Sequence, residues 1–74
     1  MFEEIRNEIH KAAAEDQKVA MLHFQVLKNA RQLANTDAKE FCGLVGIPET
    51  YATEFRKMLG LFRLMEQLGV RLVG

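Results

Sequence analysis

The sequence predicts an all-α fold, a small helical bundle of four to five helices. Three observations predict it: Pro48 is the single proline and serine is absent, no glycine precedes Gly43, and apolar residues recur with a helical period almost from end to end. Hairpins and flexible linkers draw on Gly, Pro, Ser and Asn, so this chain has little material for strands. Seventy-four residues fit one domain, and a chain of this length buries only about 60 to 65% of its unfolded surface. At 49% hydrophobic residues, five of them Phe, it is too apolar for a disordered tail and has the side chains for a core.

From the N-terminus, Phe2, Ile5, Ile9 and Ala12 or Ala13 line one side of a first helix of about a dozen residues, opposite a mostly charged face. Ala14 to Gln17 interrupt the stripe, and Asp16 is placed to cap a second helix with apolar positions Val19, Leu22, Val26, Ala30 and Leu33. One continuous or kinked helix over residues 2 to 33 is the alternative, because Ala and Glu are strong helix formers and neither Gly nor Pro marks the junction. Asn35, Thr36 and Asp37 then end one helix and cap the next, which spans about Asp37 to Val45. Gly46 suits a left-handed helix stop, and Pro48 suits the first turn of the helix that follows. Tyr51, Ala52, Phe55, Met58 and Leu59 line that helix, and the pattern continues to Gly69. The domain thus divides into an N-terminal helical pair or long helix (1–34), a central unit (37–58) and a C-terminal apolar segment (59–74).

The central unit carries the most specific pattern. A helix-turn-helix needs core-facing apolar residues at its fourth, eighth, tenth, fifteenth and eighteenth positions, a small residue at the fifth and Gly at the ninth. Counting from Ala38, these are Phe41, Val45, Ile47, Ala52 and Phe55, with Cys42 as the small residue and Gly46 in the turn. A small side chain lets two helices approach closely, and Gly reverses the chain without a Cβ penalty. The stretch resembles the helix-turn-helix of small bacterial and phage DNA-binding regulators.

That resemblance implies a recognition helix starting at Pro48, with Pro48, Glu49, Thr50, Thr53, Glu54 and Lys57 facing base edges. Glu accepts from cytosine N4 and Thr meets the thymine methyl, but Arg, the commonest guanine reader, is missing from the tip. Phosphate contacts are expected from Lys28, Arg31, Lys39, Arg56 and Lys57, with Arg63 further on. The formal net charge is zero, so no global pull toward nucleic acid exists and any positive footprint is local. Polarity along the chain allows one: Glu3, Glu4, Glu8, Glu15 and Asp16 dominate the start, whereas Lys18, Lys28, Arg31 and Lys39 face Asp37 alone in the next stretch.

No enzyme is expected. Gly43, Gly46 and Gly60 match no phosphate-binding fingerprint, and no nucleophile has a matching base. His10 reads as a surface residue, His23 as partly buried or at an interface, and two histidines without matching Cys or carboxylate spacing make no metal site. No cofactor is implied. Cys42, in the tight-packing slot, should be buried and inert. A lone cysteine suits a reducing compartment, the N-terminus is not a signal peptide and no apolar run reaches 18 residues, so a cytoplasmic protein with no membrane partner is expected.

The C-terminus is richer in apolar residues than one small domain needs. Leu61, Phe62, Leu64, Met65, Leu68, Val70 and Leu72 point to a homodimer, which hides one patch twice and suits palindromic DNA. The tail from Val70 could add a strand to a partner or to its symmetry mate. Two functions follow: a dimeric regulator bound to double-stranded DNA, or a helix-turn-helix that has become a protein-interaction module, an adaptor or inhibitor. Neutral charge and an acidic recognition helix favour the second, and the motif favours the first.

Overall fold

Five α-helices and one 3-10 turn make up residues 1–71, the part of the chain described by this computed structural model, and these residues contain no strand. The all-α bundle therefore forms as the periodicity predicts. Helix α1, Phe2–Ala13, turns Ile5, Ile9 and Ala12 inward. It closes on Asp16, whose φ is 58°. The Asp16 N–H donates to Ala13 O (3.3 Å) and the Gln17 N–H to Ala12 O (2.8 Å), the bond pair of a Schellman closure. Asp16 thus ends α1 and does not cap the next helix; Gln17 holds that place, and α2 runs Lys18–Lys28. The break also excludes the single long helix.

Within α2 the inward residues are Leu22, Gln25 and Val26. Val19, expected on the stripe, is 42% exposed, because the first turn of α2 lies at the end of the bundle. Among the described residues Gln25 is the one buried polar side chain. Its amide donates to Met21 Sδ (3.5 Å) and its side-chain oxygen accepts from Asn29 Nδ2 (3.5 Å). Asn29 Nδ2 also donates to Gln25 O (2.9 Å). With Asn29 held this way the helix is interrupted, and the stretch expected to run unbroken to Leu33 resumes as a separate turn, α3, Ala30–Leu33.

Helix α4, Ala38–Val45, begins where Asp37 Oδ2 accepts from the N–H groups of Lys39 and Glu40, both at 3.1 Å. It ends at Gly46 (φ 76°), with the Ile47 N–H on Cys42 O at 3.0 Å. Pro48 is extended (ψ 144°) and stands before a 3-10 turn, Glu49–Tyr51. It therefore precedes the helical turn and does not occupy its first position. Helix α5, Ala52–Leu68, closes at Gly69 (φ 73°).

Phe41 is the centre of the core, its ring 4.4 Å from that of Phe55 and edge-on to Phe2 at 6.4 Å. Helices α1 and α5 each pack on α2 and on α4, so α2 and α4 lie diagonally across the bundle. Contacts of α2 and α3 with the 3-10 turn and α5 fall in the same chain order, Lys18 to Tyr51, His23 to Glu54 and Arg31 to Glu66. Helices α2 and α5 run parallel.

Candidate nucleic-acid interface

Every core-facing position of the helix-turn-helix and its tight-packing position are buried: Phe41, Cys42, Val45, Ile47, Ala52 and Phe55. Phe41 and Val45 of α4 face Phe55 and Ala52 of α5 across the turn, and Gly46 provides the left-handed residue that lets α4 stop without strain. Cys42 sits in this contact. Burial pushes its thiol pKa up, the Glu49 charge adds to the rise and Arg56 opposes it. The thiol is therefore kept protonated and inaccessible.

Outside this packing, Lys39, Pro48, Glu49, Thr50, Thr53, Arg56 and Lys57 are all exposed, spread over the first turn of α4, the 3-10 turn with its leading proline and the first two turns of α5. Lys39 Nζ lies 3.3 Å from Glu49 Oε1, and Lys57 Nζ 3.8 Å from Glu54 Oε1. Exposed pairs of this kind contribute about 0 to 1 kcal/mol, so an incoming phosphate competes with the carboxylate on nearly equal terms.

Glu54 is placed differently from its neighbours. It is half-buried, and its Oε2 is hydrogen-bonded to His23 Nε2 at 2.8 Å. The carboxylate is thereby turned toward α2, which withdraws one of the two acids from the tip. His23 is half-buried, as its apolar neighbours suggested. Lys28 and Arg31 are not brought to the turn. Arg31 Nη2 bonds Glu66 Oε2 at 3.0 Å, and Glu66 lies twelve residues beyond Glu54 in α5, about 18 Å at the helical rise of about 1.5 Å per residue.

Sequence spacing did not reveal Lys18. Its ammonium stands over the Tyr51 ring, 5.0 Å from the centroid, a cation–π contact that adds a basic group to the turn end. The two residues are far apart in the chain, and only the parallel packing of α2 on α5 joins them. Of the residues expected in a dimer contact, Phe62 and Met65 are half-buried, Leu61, Leu64, Leu68 and Val70 are exposed, and Leu72 lies outside the described residues, as does most of the tail expected to add a strand. No helix among the described residues is long and apolar enough to cross a membrane.

Comparison with known proteins found no match to a curated protein and none to a solved structure. A family described as HTH-like domain matches residues 1–67. That span takes in α1 and α2 as well as the turn, so the motif and the helices that support it match as one unit, and the chain belongs to the HTH-like domain family.

Proposed function

We propose that this protein binds double-stranded DNA as a small transcriptional regulator of bacterial or phage type, working as a homodimer. The observation that carries this reading is the helix-turn-helix itself, with its core-facing and tight-packing positions buried and its outer face left open. The 3-10 turn and the first turns of α5 enter the major groove. Thr50 and Thr53 are short enough for the backbone to come close to base edges, where their methyl groups meet thymine and their hydroxyls bond either partner. Lys39, Arg56 and Lys57 hold phosphates on the two sides, and Glu49 releases Lys39 as it does so. Lys28 and Arg31, at the far end of α5, fall outside this clamp.

The test is binding to duplex DNA across a salt series. Three phosphate contacts in each copy, six in the bound dimer, give a log–log salt slope of about −5.4, and Lys57→Ala or Arg56→Ala, each removing two of the six, should reduce its magnitude by about 2. Lys11→Ala, on the outer side of α1, serves as the control. Binding that is absent at low salt, or a slope that neither variant changes, overturns the reading.

A second reading has its own observation. Lys39 and Lys57 already hold carboxylates on a chain of zero net charge, which favours a protein-interaction module with a neutral docking face. An apolar protein contact would barely respond to salt, so the same titration separates the two.

A further inference from the structure

Two clefts run side by side along the C-terminal half of α2. The cleft between α1 and α2 is lined by the apolar Met1, Met21 and Phe24 and by the acids Glu4 and Glu8. The cleft between α2 and α5 is lined by the apolar Leu27, Phe62, Met65 and Val70 and by the bases Arg31 and Arg71. Lys28 and Asn29 belong to both.

Each cleft holds an exposed apolar residue, Phe24 at 47% in one and Val70 at 50% in the other. Charge separates across them. Glu66 in the second cleft is already held by Arg31, while among the described residues no ion-pair partner stands beside Glu4, Glu8, Lys28 or Arg71. One apolar strip therefore has an acidic edge and a basic edge.

We infer that the chain forms a two-fold dimer through this outer face of α2, the acidic edge of one copy lying on the basic edge of the other. A two-fold axis near Lys28 and Asn29 exchanges the two clefts, so a single patch makes both charge contacts and covers Phe24 and Val70 in each copy. Both halves of the complementarity are on one chain, which is what selects a second copy as the occupant. The diagonal position of α4 keeps the turn clear of the contact. Phe62, Met65 and Val70, among the residues that sequence marked for a dimer, fall in this face, whereas Leu61, Leu64 and Leu68 are not among the residues lining the clefts.

The inference rests on the dimer half of the proposed function, and mass in solution reads it whether or not DNA binds. Sedimentation equilibrium should give twice the 8.5 kDa chain mass. The double variant Glu4→Lys with Glu8→Lys and the double variant Arg31→Glu with Arg71→Glu, each checked for helicity, should each be monomeric, and an equimolar mixture should recover the dimer. Leu64→Ser with Leu68→Ser should stay dimeric.

A monomeric wild-type chain overturns the inference, as do charge-reversed variants that still dimerise or a mixture that fails to associate. DNA binding by a strict monomer would remove this dimer and leave the DNA reading standing; a dimer that ignores DNA would do the reverse.

Discussion

Asp16 holds a backbone conformation that glycine adopts freely and a β-carbon disfavours. Asp16→Gly should therefore raise stability by about 0.5 to 1 kcal/mol, read by denaturant unfolding; a loss would mean that the aspartate makes a contact worth more than the strain. Cys42 is the residue with a pH signature. Its thiol pKa is raised in the folded chain, so the folded state holds the proton more tightly than the unfolded one. The contribution is complete below the ordinary thiol pKa of about 8.5 and is lost as pH rises through the higher folded value. Unfolding midpoints measured from pH 8 upward should fall in the wild type and fall less in Cys42→Ala. At neutral pH a thiol reagent should label Cys42 only as fast as the domain opens. His23 acts on Glu54 and through it on the tip. His23→Ala should cost under about 1 kcal/mol of stability, because the pair is about one third exposed, yet weaken DNA binding by releasing a carboxylate toward the phosphates.

Among the elements, α5 carries its own test in Gly60, which is exposed in mid-helix with no atom within 4 Å of an added β-carbon. Gly60→Ala should stabilise the domain by about 0.5 to 1 kcal/mol in thermal unfolding. Gly46→Ala should do the opposite, since its φ is 76°, a left-handed conformation that a β-carbon disfavours. These glycines also show what could be read from sequence. Helix stops and caps depend on residues within one turn of each other, so Asp37, Gly46 and Gly69 were legible, and so was the motif register from Phe41 to Phe55. Asp16 was misread because its chemistry suits a cap and a left-handed stop equally well. The break at Asn29 coincides with its side-chain amide bonding the Gln25 carbonyl, which apolar spacing does not reveal, and Val19 is apolar but stands where the bundle ends. In the site, the exposed residues near the turn were legible. The inward turn of Glu54, the arrival of Lys18 and the distance of Lys28 and Arg31 were not, because each depends on how α2 lies along α5.

For the molecule as a whole, the margin is small. A stability of about 0.05 to 0.15 kcal/mol per residue gives this chain roughly 4 to 11 kcal/mol, and Phe41→Ala should remove about 3 to 5 of it. Circular dichroism should show that variant melting far below the wild type; an unchanged melting curve would mean that the core centre lies elsewhere. The contacts of α1 with the motif carry a consequence for its dynamics. Phe2 packs against Phe41, and Arg6 lies over Gly46, so the N-terminal helix roofs the turn that sequence alone would treat as a separate unit. In hydrogen exchange the amide of Ile47 should therefore keep time with the interior of α1 and not with the last turn of α5, and residues 38 to 57 made as a free peptide should exchange at the rate of an unstructured chain.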